Sequence, residues 1–502
     1  MMTYERSAGI LMHITSLPSP FGIGDMGPEA YRFADFLHKA GQTWWQVLPT
    51  NQVGSDSNYS PYSGLSAFAG NILLISPRLL EQDGLLSASD IDQAGLADLE
   101  SFAEVERHKK KLFTIAFDNW ESKGGAEHQE FTRFSSDNHY WLEDYALYTA
   151  LRDEYGNKWK EWPDVLKMRQ SAAIAEAKRT YEQAIKRESF FQFVFYSQWK
   201  ALQAYCHNKQ VRFFGDMPIY VDHLSCDVWS HRDIFKLDRE GEMITVAGVP
   251  PDYFSENGQL WNMPVYDWPQ QKERGYDWWV RRIKHNLQSY DIVRLDHFRG
   301  FVDYWEVARG EETAKNGKWT RGPREFLFDK IKEAFPNMPI IAEDLGEIDQ
   351  PVYDLMDTYE LPGMRVLQFA WGDNLGENPH IIHMHRKNMV AYTGTHDNIP
   401  VQAWYSKTDD GIRDLINTYV GHKVTTDTIN EHFIHLVWQS VADISITTTQ
   451  DLLGLGEEGT MNIPGEAKGN WTWRMEEGVL TDKLAERLQE LTKVTGRLPP
   501  KR

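Results

Sequence analysis

The 502-residue chain reads as an α/β protein, a (β/α)8 TIM barrel with large insertions between barrel strands. Three observations predict this. Short apolar runs rich in β-branched and aromatic residues recur eight times with helical patterns between them. Two connections are far longer than simple loops. Several runs end on a carboxylate, at the rim where barrels place their reactive groups. A doubly wound open sheet has the same periodicity, and periodicity alone does not exclude it.

The eight predicted strands are Gly9 to Thr15 (GILMHIT), Thr43 to Pro49 (TWWQVLP), Arg212 to Val221 (RFFGDMPIYV) and Ile292 to Phe298 (IVRLDHF), then Pro339 to Leu345 (PIIAEDL), Met364 to Phe369 (MRVLQF), Met389 to Asp397 (MVAYTGTHD) and Val441 to Thr449 (VADISITTT). Between the first two, Pro28 starts a helix, Ala30, Phe33, Ala34 and Leu37 form its apolar stripe, and Gly41 closes it. Residues 1–49 therefore open the barrel, and residues 50–210 form an inserted subdomain. Its content reads as mostly helical, with SAAIAEAKRTYEQAIK at Ser171 to Lys186 followed by Phe191, Val194, Phe195, Trp199 and Leu202 at helix spacing. Residues 211–502 complete the barrel and carry a lid-like insertion at about 222–291. The centre of that insertion, AGVPPDYFSENGQLWNMPVYDW, is dense in Pro, Gly and aromatics.

A formal charge of −20 disfavours phosphate backbones and anionic membranes, so no nucleic-acid or membrane partner is expected. No run approaches the length of a membrane span, and the N-terminus lacks the basic and small-residue signals of a leader peptide. Cys206 and Cys226 are too few to staple the fold and have no metal-ligand spacing, which fits a reducing, cytoplasmic setting. The outlier is the aromatic content, 13%. Rings serve as platforms for sugar faces, but they are foremost core fillers.

Two motifs invite a cofactor or metal reading and fail it. Gly22-Ile-Gly24-Asp-Met-Gly27 matches GxGxxG, yet two prolines separate it from the first strand and the second strand ends without an acid to hold a ribose. We read it as a turn and helix start. His380, His383 and His385 lack a nearby acid or Cys in ligand spacing and read as a hydrogen-bonded or solvated group. No cofactor and no metal are expected.

The carboxylates Asp216, Asp296, Glu343, Asp344 and Asp397 stand at or just beyond predicted strand ends. One such residue is ordinarily a turn former or helix cap. Five at one barrel mouth repel unless a cation or a shared task holds them. Arg294 alternates to the same strand face as Asp296 and is placed to keep it ionised. One anionic and one protonated carboxyl are what glycosidic bond chemistry requires. Spacing does not say which sugar, nor hydrolysis against transfer.

Nearly the whole chain resembles the 4-α-glucanotransferases, also called amylomaltases or disproportionating enzymes, of the α-amylase clan. The resemblance rests on GILMHITSLPSPFGIGDMG, WWQVLP, SPYSGLSAFAGN, GDMPIYV, AGVPPDYFSENGQLW, VRLDHFRG, IAEDLG, YTGTHDN, QDLLGLG, MNIPG and GNWTWR, in that order. It implies that Asp296 is the nucleophile, Glu343 the general acid and base, and Asp397 the third catalytic acid, which binds hydroxyls and distorts the reacting ring. His396, Arg294, Asp216 and Tyr62 would line the same subsite, Tyr62 by stacking, and Trp261 would support the acceptor. The implied substrates are α-1,4-glucans and maltooligosaccharides, with glucose as an acceptor and cyclisation of long glucans as a further outcome. Two successive inversions would retain configuration, for which the Asp296 and Glu343 carboxyls should stand about 5 to 5.5 Å apart. Closure of the Ala247 to Trp268 segment is the expected means of excluding water.

The sequence departs from the family's GQLWGNPxY pattern at Asn262 and Met263, which bears on acceptor contacts. No added starch-binding module is expected. No seam for a partner subunit is identifiable, and a monomer or homodimer is expected. The competing readings are an α-glucan hydrolase of amylase type and a non-catalytic glucan-binding protein on the same fold.

Overall fold

The computed structural model describes residues 5–96, 99, 101–251, 255–466 and 468–500. Twelve strands follow in chain order: β1 (Ser7–Leu11), β2 (Trp44–Gln46), β3 (Arg212–Met217), β4 (Thr245–Val249), β5 (Gln259–Pro264), β6 (Ile292–Leu295), β7 (Asp303–Ala308), β8 (Lys318–Arg321), β9 (Ile340–Ala342), β10 (Gly363–Val366), β11 (Met389–Tyr392) and β12 (Ile444–Thr448). Eight of them form one sheet in the order β10-β11-β12-β1-β2-β3-β6-β9, parallel throughout.

The sheet curls so that its two ends meet. The Ala342 N–H donates to Pro362 O over 2.8 Å. The Asp344 carboxylate accepts from the Met364 N–H at 2.6 Å and pairs with Arg365 at 2.7 Å. Asp344 therefore seals the seam between β9 and β10 and does not join the acids of the mouth. Gly363 is glycine for this reason, since a Cβ there would lie 2.7 Å from the Asp344 carboxylate oxygens. The open-sheet alternative is thereby excluded, and the fold is the predicted (β/α)8 barrel.

A sheet buried on both faces needs apolar side chains at successive positions, and β2 and β3 show how they divide. Trp44 and Phe214 point into the barrel with Leu11, Ile292, Ile341, Val390 and Ile446. Trp45 and Phe213 point outward, where Trp45 meets Phe33 of the helix Pro28–Lys39 at 4.8 Å and Phe213 at 5.1 Å between centroids. Aromatic wealth is thus largely core: Trp45, Trp159, Trp199, Trp229, Trp279 and Trp438 are fully buried.

The connection from β2 to β3 is mostly helical, with Phe102–Ser122, Gln129–Asp137, His139–Tyr155, Ser171–Thr180 and Glu182–Asn208 as its longer helices. The stretch Ser171 to Lys186, read as helical, is two helices divided at Tyr181, which ends one and starts the next with non-helical dihedrals. The second of these, about 40 Å long, delivers the chain to β3 by stacking Trp199 near Phe213, at 4.8 Å. The GxGxxG segment is turn structure, as read from sequence. Gly27 caps the helix Pro28–Lys39, its N–H donates to Asp25 Oδ1 at 2.8 Å, and a Cβ on Gly24 would fall 2.0 Å from Ile14 O.

Strands β5-β4-β7-β8 form a separate antiparallel sheet beside the barrel. The stretch Ala247–Trp268, marked as a loop by its Pro and Gly content, contains the end of β4 and all of β5. Residues 252–254 of that stretch lie outside the described residues. The hairpin β7–β8 is a second addition, inserted directly after the β6 strand end, which the sequence reading left unassigned within the barrel. Cys206 and Cys226 are buried free thiols. Among the described residues no helix is long and apolar enough to cross a membrane.

Candidate active site

Barrel geometry brings Asp216, Asp296, Glu343 and Asp397 to the same end. Asp216 lies within β3, while Asp296 and Glu343 each follow directly on a strand. The ladder runs one residue past both strands: Asp296 N–H donates to Met217 O, and Glu343 N–H to Leu295 O, each at 3.1 Å. Their side chains are therefore fixed at their roots by sheet hydrogen bonds.

Arg294 holds two acids at once. Asp216 and Arg294 are direct cross-strand partners of β3 and β6, and one guanidinium nitrogen sits 2.8 Å from both oxygens of Asp216. The other nitrogen sits 2.8 Å from Asp296 Oδ1. Arg294 and Asp216 are almost completely buried, so this charge is matched locally and not by water. Burial opposes the charge on Arg294, but Asp216 and Asp296 outweigh it and raise its pKa.

Glu343 is clasped by backbone. Its Oε2 accepts from the His297 N–H and its Oε1 from the Leu345 N–H, both at 2.8 Å. His297 adopts a left-handed φ of 48°, uncommon for a non-glycine residue, and this turn directly after Asp296 aims the amide at Glu343. Burial raises the Glu343 carboxyl above its usual range, against the pull of Arg294 and the two amides. Burial likewise raises Asp296, reinforced by Asp216, Glu343 and Asp397 and opposed by Arg294.

Tyr62 joins this centre to His396. Its hydroxyl lies 2.6 Å from Asp216 Oδ2 and 2.7 Å from His396 Nε2. A phenol has one hydrogen, and Asp216 can only accept it when ionised. His396 Nε2 must then carry the proton that points at Tyr62. Burial lowers the His396 pKa against the pull of Asp397, and the same nitrogen stands 3.3 Å from Asp397 Oδ2. The Tyr62 ring lies against His396, 5.2 Å and 14°, and near Trp471 at 5.7 Å. Its ring thus packs on protein groups while its hydroxyl bridges two predicted site residues.

Asp397 is the most open of the acids, with 41% of its side chain exposed. Asn462 donates to its Oδ1 at 2.6 Å. Trp261, on β5, stands edge-on to His297 at 4.8 Å and 87°, which places it beside the Asp296–Glu343 pair. The next residue, Asn262, has a φ of 55°, so the departure from the family pattern falls on a kink in β5.

Sequence reasoning missed four groups here: His297, whose backbone does the work, and Asn462, Trp471 and His13. His13, two residues past β1, is buried with its Nδ1 unpartnered; burial, Arg474 and His396 hold its pKa down at about 3. Asn462 and Trp471 sit in the MNIPG and GNWTWR motifs, which carried the resemblance without a role. Among the described residues no group of three or more His, Cys, Asp or Glu is arranged to hold a metal. His385 bonds Ser440 and the His380 carbonyl, and His380 accepts from the Val366 N–H.

A parallel barrel whose mouth holds several carboxyls, one pair shared by a buried arginine and one clasped by amides, defines the class of enzymes that work on glycosidic bonds with paired acids. Comparison with known proteins agrees. A family model described as 4-alpha-glucanotransferase matches residues 12–481. The 4-alpha-glucanotransferase of Aquifex aeolicus (strain VF5) is 43% identical, covering 98% of this chain and 99% of that protein. That of Clostridium butyricum is 41% identical, covering 97% and 100%. Among solved structures, the amylomaltase from Streptococcus agalactiae in complex with acarbose superposes with a TM-score of 0.94 at 35% identity, covering 99% of this chain and 100% of that one. The chain belongs to the 4-alpha-glucanotransferase family, whose members are glycosyl-transferring enzymes.

Proposed function

We propose that the enzyme moves α-1,4-glucan segments from a donor maltooligosaccharide to the 4-hydroxyl of an acceptor glucan or glucose by a retaining double displacement. The observation that carries this is the asymmetry of the acids. Asp296 has a guanidinium at 2.8 Å, whereas among the described residues no cation is in contact with Glu343. The guanidinium favours the charge on Asp296, so we assign the proton to Glu343, with burial raising both carboxyls.

Asp296 attacks the anomeric carbon as Glu343 gives its proton to the departing glycosidic oxygen. A β-linked glucosyl-enzyme forms and the reducing-end segment leaves. Glu343, now anionic and stabilised by the His297 and Leu345 amides, takes the proton of an incoming hydroxyl, which displaces Asp296. Asp397, Asn462, His396 and Tyr62 face the sugar bound at this carbon, and Arg294 keeps its charge throughout.

Transfer prevails over hydrolysis when a bound acceptor presents its hydroxyl at an effective concentration of roughly 10⁵ M or more. Trp261 beside His297 supports that acceptor and, with the Ala247–Trp268 segment, limits water. The charge of −20 supports neutral glucans over anionic partners, and the free buried thiols support a cytoplasmic setting.

Maltotriose alone tests the reading. A ladder of longer and shorter glucans at constant reducing ends is expected. Rising reducing ends would instead favour the hydrolase, and unchanged maltotriose the binding protein.

A further inference from the structure

The edge strand β8 carries Trp319, which is 40% exposed. It is nevertheless held in place. Trp305, its cross-strand partner, stands edge-on at 5.2 Å and 70° and is itself anchored by a 2.8 Å bond from Nε1 to Ala314 O. The Arg299 guanidinium lies 4.0 Å from the centre of the Trp319 ring and covers one of its faces. Arg299 also donates to Glu347 O at 2.7 Å and pairs with Asp349 at 3.1 Å.

These anchors come from the catalytic loops. Arg299 is three residues beyond Asp296, and Glu347 is four beyond Glu343. Glu343 protonates the departing oxygen, so the leaving or accepting chain lies on its side of the cleaved bond. The loop from Glu343 to Asp349 leads from that position to Arg299 and Trp319. Trp319 shares a cross-strand row with Trp305, Gly248 and Leu260, three strand steps and about 14 Å from β5, so its ring stands at the β8 edge on the sheet face opposite to Trp261.

We infer that Trp319 is a stacking platform for distal glucose units of a long acceptor or leaving glucan. This rests on the transferase reading above. A pyranose presents an apolar C–H face to a flat ring, and a ring already immobilised by Arg299 and Trp305 loses little entropy on binding one. A chain of one or two glucose units ends before reaching it, so the platform selects for length.

The test uses the full enzyme, maltotriose as common donor, and isotopically labelled glucose or maltoheptaose as acceptor. For Trp319→Ala, the ratio of kcat/KM for maltoheptaose over glucose is expected to fall roughly tenfold. Trp319→Leu, which keeps apolar bulk in the fold, should lose the same selectivity, and Trp319→Phe should restore most of it. An equal loss with both acceptors would overturn the platform and make Trp319 a brace for the catalytic loops. An unchanged ratio would overturn it as well. If the wild-type enzyme moved no label from either acceptor into longer glucans, the transferase reading itself would fail, a result distinct from either.

Discussion

The His297 amide donates to Glu343 Oε2 over 2.8 Å, so the residue directly after Asp296 positions the carboxyl that works beside it. Asp296 and Glu343, the proposed nucleophile and acid, are coupled through one peptide unit. A small change in the turn after β6 therefore moves both.

Glu343→Gln removes the transferable proton and sets a side-chain NH2 against an amide N–H it cannot accept. Transfer from maltotriose should fall by roughly 10²- to 10⁴-fold. Formation of the glucosyl-enzyme from an α-glucosyl fluoride, whose leaving group needs no proton, should be spared by comparison. Equal losses on both donors in single-turnover kinetics would remove Glu343 from the acid role.

Asp296→Asn should abolish covalent chemistry, with kcat down by roughly 10³-fold or more. The side chain is partly exposed and its neighbour Arg294 keeps Asp216, so thermal unfolding should change little. A folded, active Asn variant in the maltotriose assay would contradict the nucleophile assignment.

Asp344→Ala leaves the Met364 N–H and the Arg365 guanidinium without their partner in the barrel seam. Breaking such a buried pair costs about 3–5 kcal/mol. Urea unfolding should show that loss, and a change under ~1 kcal/mol would mean the seam does not depend on Asp344.

Glu188, buried in the helix Glu182–Asn208, has its carboxyl pushed by burial from an ordinary 4.5 up to about 7. Between these values the folded state binds more protons than the unfolded one, so this group lowers stability as pH rises from 4.5 to 7. The effect is complete above the folded value and absent below the unfolded one. Glu188→Gln should be more stable than wild type at pH 8, by on the order of 3 kcal/mol, and the advantage should vanish near pH 4. A difference independent of pH in chemical denaturation would refute the shift.

All eight apolar runs overlap a barrel strand and six contain one whole, because a parallel strand buried on both faces is a local, continuous signal. The first helix is equally legible from Pro28 and its stripe. The hairpin β7–β8 was not: Tyr304, Glu306 and Thr320 join Lys236 in a polar network, which breaks the apolar pattern. Glu343 and Asp344 show the same limit at finer scale. Both stand at one strand end, yet one carboxyl meets the mouth and its neighbour the seam, since successive side chains alternate sides.

The sequence by itself determined where the barrel strands lie, that several of their ends carry acids, and, through its ordered motifs, the family to which the chain belongs. Which groups meet was decided only by the tertiary structure. Tyr62, Asp216, Arg294, His396 and Asn462 come from five distant stretches, and no periodicity links them. Their network exists because barrel closure gathers the strand ends that carry Asp216, Arg294 and His396, and the connections after β2 and β12 fold back over that end with Tyr62 and Asn462. The amide of His297 aims at Glu343 because a left-handed turn points it there, a backbone property that no side-chain pattern records.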